Sequence, residues 1–226
     1  CHNFAAGQYA LCGNWGGCHN NAIGQCALKE NTTGCRNTAI GYQAMFDNTT
    51  GKQNFAGGYS ALANNTTGND NNALGYYALY SNTTGVDNTA IGCQALKSNT
   101  EGCYNTAIGQ ITLQSNLSGC YNAAIGYKAL NANTTGCDNT AIGACSLQNN
   151  TTGSHNIGVG IYAGKFLANG STALTSPNNS IYLGSCTRGY AATDSNVTVI
   201  GYCACACGDN TVSIGNCDVT DTYING

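Results

Sequence analysis

Charge is what this sequence lacks most. Charged residues fill 8% of its 226 positions, against about 25% in ordinary globular domains, so the surface must be polar without being ionic. Seven Lys and Arg against ten Asp and Glu give a net charge of -3. That balance provides no basic stripe for nucleic acid and no polybasic arm for anionic lipid, so neither partner is expected. No apolar run approaches the ~20 residues of a membrane-spanning helix. Histidines are scattered at His2, His19 and His155, with no recurring arrangement that sets a base beside a nucleophile. Carboxylates are too sparse to nominate an acid/base pair. No catalytic residue, metal site or cofactor is expected. The chain starts at Cys1 without Met and without a charged segment leading into an apolar one, which reads as a processed or partial product.

Two residue types are abundant instead. Fifteen cysteines are too many for a reducing cytosol unless they serve metal or chemistry, so disulfides in an extracellular setting are the expectation. The odd number leaves one thiol free or paired to another molecule. Glycine, at 31 residues against one proline, marks a period. Asn opens a 17-residue unit at Asn3, Asn20, Asn37, Asn54, Asn71, Asn88, Asn105, Asn122, Asn139 and Asn156. A Gly follows four residues later each time, and a second Gly closes the unit from Gly17 to Gly153.

Helices do not suit this unit, because a Gly inside each would cost about 1 kcal/mol relative to Ala. Short extended segments between turns suit it better. The pattern predicts an all-β fold: a parallel β-solenoid of about ten 17-residue coils over residues 1–156, an irregular transition over 157–178, and a β-roll-like segment over 179–226. The Thr-Ala-Ile and Ala-Leu runs are read as two strands per coil, with both glycines at backbone angles closed to other residues. Ile23, Ile40, Leu74, Ile91, Ile108, Ile125 and Ile142 are expected to form one inward column. Leu11, Leu28, Met45, Leu62, Leu79, Leu96, Leu113, Leu130 and Leu147 form the other. One Ile and one Leu per coil supply ~3–6 kcal/mol, too little against an ordering cost of ~1–2 kcal/mol per residue. The opening Asn column is therefore expected to add amide hydrogen bonds from coil to coil.

Beyond the repeats, Asn196-Val-Thr-Val-Ile-Gly201 and Asn210-Thr-Val-Ser-Ile-Gly215 alternate apolar and polar residues as strands do. These segments resemble the head repeats of trimeric autotransporter adhesins. The Asn-Thr-Ala-Ile-Gly-Tyr-Gln-Ala units and the closing Thr220-Asp-Thr-Tyr-Ile-Asn-Gly226 resemble shafts of bacteriophage tail fibres and related bacterial surface proteins. The resemblance implies a left-handed β-roll, assembly as a homotrimer, and a shaft that precedes a self-cleaving intramolecular chaperone. It covers nearly the whole chain, although the cysteines depart from those families.

Cysteines mark further columns. Cys1, Cys18, Cys35, Cys103, Cys120 and Cys137 all stand two residues before the opening Asn, where vertical neighbours lie close enough for a disulfide. Cys18 with Cys26, and Cys137 with Cys145, offer bridges within one coil, and these are the preferred pairing. Cys1 and Cys217, near the two ends, are candidates for links between molecules. Cys203-Ala-Cys205-Ala-Cys207 places three sulfurs on one face of a strand, read as disulfide partners rather than metal ligands.

The Asn-Thr-Thr-Gly corner has two competing readings. Asn31, Asn48, Asn65, Asn82, Asn116, Asn133 and Asn150 each open an Asn-x-Ser/Thr glycan acceptor pattern, as do Asn169, Asn178 and Asn196. The same residues suit a turn. Asn116-Leu-Ser-Gly119 gives up the middle Thr while keeping the third-place hydroxyl, which suggests that the third hydroxyl matters. Tyr42, Tyr59, Tyr76 and Tyr127 share a column, read as a structural aromatic ladder ahead of a sugar-stacking platform.

These features point to a non-enzymatic extracellular structural fibre with a shaft or adhesion role, in a virion fibre or cell-surface appendage. Self-association, as the homotrimer that the resemblance implies or as an end-to-end filament, and cell-surface glycans are the expected partners. The competing reading is a flat-faced solenoid binding ice or carbohydrate. Against ice stands the Thr column after the opening Asn, interrupted by Phe55, Asn72 and Ala123.

Overall fold

The structure is a computed structural model that describes residues 2–216, 218 and 219. Among the described residues it is an all-β parallel solenoid without helices: one 13-stranded sheet whose strands lie in sequence order. The strands are β1 (Phe4–Ala6), β2 (Asn21–Ile23), β3 (Thr38–Ile40), β4 (Phe55–Gly57), β5 (Asn72–Leu74), β6 (Thr89–Ile91), β7 (Thr106–Ile108), β8 (Ala123–Ile125), β9 (Thr140–Ile142), β10 (Ile157–Val159), β11 (Ile181–Leu183), β12 (Thr198–Ile200) and β13 (Val212–Ile214). Twelve intervals at the usual strand spacing make a stack of roughly 58 Å. The register never slips through the repeats: Thr89 lies over Thr106, Ala90 over Ala107 and Ile91 over Ile108. The 157–178 segment is only partly irregular, since β10 belongs to the sheet and pairs with β9 and β11.

Two expectations about the coil are corrected. Each coil has one strand rather than two, because the Ala-Leu run turns. Leu28, Leu79 and Leu96 sit at φ 50, 50 and 50, and Cys26, Tyr77 and Gln94 two residues earlier at φ 59, 54 and 59. A left-handed residue with a Cβ costs about 1–2 kcal/mol. The conformation aims alternate N–H groups at opposite neighbours: Cys26 donates back to the Gln8 carbonyl at 2.8 Å and Leu28 forward to the Ala44 carbonyl at 3.0 Å, while Ala27 between them donates to the Gly24 carbonyl of its own coil at 3.3 Å.

The Ile column, expected inside, faces outward. Ile40 is 43% exposed and Ile125 42%, while the Ala before each is fully buried. A strand shows alternate residues to opposite faces, so Ala and Ile cannot both point in. Ala wins because the narrow interior already holds the Leu column, buried from Leu28 to Leu147, and two columns of Asn. Where Gly57 interrupts the Ile column, the Phe55 ring lies beside the vacated place.

The two glycines have different reasons. Gly41, Gly58 and Gly75 have φ 136, 136 and 140, closed to other residues, whereas Gly34, Gly51 and Gly68 do not need positive φ. At Gly51 a Cβ would strike the Asn48 side chain and the Gly68 carbonyl. The closing glycines provide room rather than an angle.

Candidate functional surface

Buried amides are built into every coil of the repeat region from Asn20 onward. In the opening column, Asn71 Nδ2 donates to the Gly85 carbonyl at 2.8 Å and to Asn54 Oδ1 at 3.2 Å. Its Oδ1 accepts Asn88 N–H at 3.0 Å. The expected ladder is present, and it runs from Asn3 to Asn156.

The Asn-Thr-Thr-Gly corner forms a second ladder. Asn65 Nδ2 donates to Asn48 Oδ1 at 2.9 Å and to the Gly68 carbonyl at 3.0 Å, and the pattern repeats from Asn31 to Asn150. This corrects the glycan reading at seven positions. Asn31, Asn48, Asn65, Asn82, Asn116, Asn133 and Asn150 are all 0% exposed. The nitrogen that would carry a sugar spends both protons inside the coil, so the folded rod has no room for a glycan there. The sequence held a signal for this: Asn99-Thr-Glu101 keeps the Asn while breaking the acceptor pattern, and Asn99 sits in the same ladder. Asn169, Asn178 and Asn196 are exposed.

The hydroxyl argument is also overturned. The middle Thr makes the structural bond, as Thr66 Oγ1 donates to the Thr83 carbonyl at 3.0 Å, while third-place residues such as Thr33 and Thr50 point to solvent. Leu117 occupies a middle place without a hydroxyl, and its carbonyl still accepts Thr100 Oγ1 at 3.1 Å.

Outside, the sheet presents the Ile column and, past the positive-φ glycines, the Tyr column. Tyr42 and Tyr59 stack at 5.0 Å between centroids, and Tyr59 and Tyr76 at 5.4 Å. These three rings and Tyr127 are 38–47% exposed. The Ile column forms an apolar band along the rod, and the Tyr rings widen it at Tyr42, Tyr59, Tyr76 and Tyr127. Lysine ammonium groups rest on neighbouring rings, Lys128 on Tyr127 at 5.2 Å and Lys97 on Tyr77 at 5.6 Å.

The cysteines resolve into two thiol columns. Cys18 meets Cys35 of the next coil, sulfur to sulfur, at 3.1 Å. Cys103, Cys120 and Cys137 also stack vertically, through backbone N–H groups, with Cys103 N–H on Cys120 Sγ and Cys120 N–H on Cys137 Sγ, both at 3.2 Å. All thirteen described cysteines are free thiols, and the partner within reach of Cys18 is its vertical neighbour Cys35 rather than Cys26 of the preferred intracoil bridge. Cys26 lies at the far end of β2 from Cys18, and Cys145, buried, at the far end of β9 from Cys137. Cys203, Cys205 and Cys207 do not lie on a regular strand. Cys203 has φ 53, Cys205 makes a single bridge with Arg188, and the alternating Ala204 and Ala206 are buried. The three thiols edge a groove of about 750 Å³ with Arg188 and Tyr202. Among the described residues no three His, Cys, Asp or Glu side chains gather as a metal-holding group. Cys1 and Cys217 lie outside the described residues.

No protein-family model, curated protein or solved structure matches this chain. The reading of its role therefore stands on the geometry above.

Proposed function

We propose that this chain is a non-enzymatic, extracellular structural fibre or filament segment with a shaft and adhesion role. The observation that carries the proposal is the unbroken 13-strand register, held inside by two amide ladders. Every coil is hydrogen-bonded to both neighbours, which suits a stiff rod of fixed width. The outward Ile and Tyr band supplies apolar surface for self-association, as a homotrimer or an end-to-end filament. The high cysteine content supports an oxidising, extracellular setting.

Electron microscopy of native material tests this. Filaments or bundles much longer than the roughly 58 Å of one stack are expected, and isolated short rods at every concentration would overturn it. A second reading, a carbohydrate-binding solenoid, is favoured by the exposed Tyr42, Tyr59 and Tyr76 stack. Glycan-array binding that disappears on replacing all three with Ser would support it over a purely structural ladder. An ice-binding face finds less support, because the Thr column on the outer sheet is interrupted by Phe55, Asn72 and Ala123, and thermal hysteresis would be its test.

A further inference from the structure

The two thiol columns share one backbone position and the same N–H-to-sulfur stacking, and they differ in one sulfur–sulfur contact and in the charges beside it. Each of Cys103, Cys120 and Cys137 turns its S–H onto the carbonyl two residues earlier, at 3.2, 3.4 and 3.5 Å, and Cys35 does the same toward the Thr33 carbonyl at 3.4 Å. The first three are flanked by Tyr104, Tyr121 and Asp138. Cys18 behaves differently, aiming its S–H at Cys35 Sγ at 3.1 Å while its own N–H reaches the same sulfur at 3.2 Å. Cys35 Sγ thus collects two donors from one neighbour. Around it, His19, Arg36, Lys52 and Gln53 complete a groove of about 330 Å³. Two of the chain's seven Lys and Arg residues converge on this one thiol pair.

We propose that Cys18 and Cys35 form a reactive thiol site for small anionic disulfides, with Cys35 as the attacking sulfur and Cys18 as the resolving one. The thiolate is the nucleophile in disulfide exchange, and the surroundings favour it at Cys35. The Cys18 S–H and N–H donors, and then the Lys52 and Arg36 charges, hold the Cys35 thiol below its usual range. The hydrogen bond to Cys35 and burial push Cys18 up, so the roles of the two sulfurs are distinct.

The reaction balances without a further reagent. Cys35 thiolate forms a bond to one sulfur of a disulfide such as oxidised glutathione, whose S–S bond breaks, and the departing thiolate takes a proton from solvent. Cys18 then loses its proton to solvent and attacks the Cys35 sulfur, expelling the second glutathione thiolate. Two protein thiols are oxidised to one disulfide while the small disulfide is reduced to two thiols. Closure needs little movement, since stacked positions about 4.8 Å apart suit a disulfide. Carboxylates on the reagent would sit among the Arg36, Lys52 and His19 side chains, which are exposed.

The test starts from reduced full-length chain treated with oxidised glutathione, quenched with an alkylating agent and peptide-mapped over time. The Cys18–Cys35 cross-link is expected first, about 10-fold ahead of any cross-link among Cys103, Cys120 and Cys137, because the sulfur–sulfur contact and the neighbouring Arg36 and Lys52 favour attack there. Cys18→Ser should halt the reaction at a glutathione adduct on Cys35. Equal rates in the two columns, an adduct preferring Cys18 in the Cys35→Ser variant over Cys35 in the Cys18→Ser variant, or a Cys18–Cys26 bridge would overturn the assignment. Arg36→Gln with Lys52→Gln should slow oxidation by glutathione disulfide more than by the uncharged disulfide of mercaptoethanol. Equal slowing with both reagents would overturn the anionic specificity.

Discussion

The coils up to Asn156 and those from Ser180 onward share one sheet but fill their interiors by opposite means. In the repeats, two Asn columns line the core, every inner strand position from Ala22 to Ala141 is a buried Ala, and the coil stays at 17 residues. After Asn156 the opening column passes to Ser180 and Val197, and the inner strand positions to Tyr182 and Val199. Coil length then varies: from Ile157 to Ile181 is 24 residues, from Ile181 to Thr198 is 17, and from Thr198 to Val212 is 14. Through the repeats each Asn binds the Asn 17 residues away, and the ladder's last bond, Ser180 N–H to Asn156 Oδ1 at 3.0 Å, crosses the 24-residue coil. Apolar packing is non-directional and tolerates unequal coils. The long coil between β10 and β11 folds its extra residues over Leu174, which returns to the core.

The sharpest way to break this contrast is inside a ladder. Asn71→Ala removes the bonds to Gly85 and Asn54 and leaves the Asn88 N–H, whose acceptor is Asn71 Oδ1, without a partner. The loss is expected to be about 3 kcal/mol, from an orphaned buried donor and a small void, read as a shift in the denaturation curve of the full chain. A cost near zero would mean that the ladder is replaceable by packing.

In the terminal coils a single buried group does the equivalent work. Tyr182, fully buried, donates its hydroxyl to Asp194 Oδ2 at 3.1 Å, and Asp194 also accepts Tyr190 N–H at 2.9 Å and Ala191 N–H at 2.6 Å. Burial first, and then the Asp194 charge, push the Tyr182 phenol far above its usual range, so it remains a donor at any ordinary pH. Tyr182→Phe keeps the ring and leaves Asp194 two of these three donors. A cost of about 1.5 kcal/mol is expected, the lower end for a bond to a charged acceptor, again by denaturation.

Much of this was legible in the residues and some was not, for physical reasons. The 17-residue period gave parallel in-register strands, because stacking is the way such a short unit buries its apolar residues. Cysteine spacing gave the columns but could not say that Cys18 reaches Cys35 rather than Cys26, since that depends on where the coil turns. The left-handed Leu positions carry no sequence mark, as left-handed turns are ordinarily signalled by Gly or Asn. The Asn corner stayed open between two readings because one tripeptide serves both as a glycan acceptor and as a buried amide, and the positions that separate them are Asn14 and Asn99, which keep the ladder without the acceptor pattern.

The smallest effect belongs to the residue type that looked most like core. Ile91 is 39% exposed on the outer face, whereas Leu96 of the same coil is fully buried. Truncating a buried Leu to Ala costs about 2–5 kcal/mol, but Ile91→Ala should cost under about 1 kcal/mol, the range of surface changes that keep some neighbour contact. Denaturation of that variant measures the difference directly. A cost matching that of a buried Leu would mean that the Ile column holds the coil together. A small cost would leave the column without a role in the isolated coil. Contact with another molecule would then account for a branched apolar residue recurring there, and sedimentation of an Ile91→Ser, Ile108→Ser, Ile125→Ser chain, expected to associate less than the parent, checks that second half.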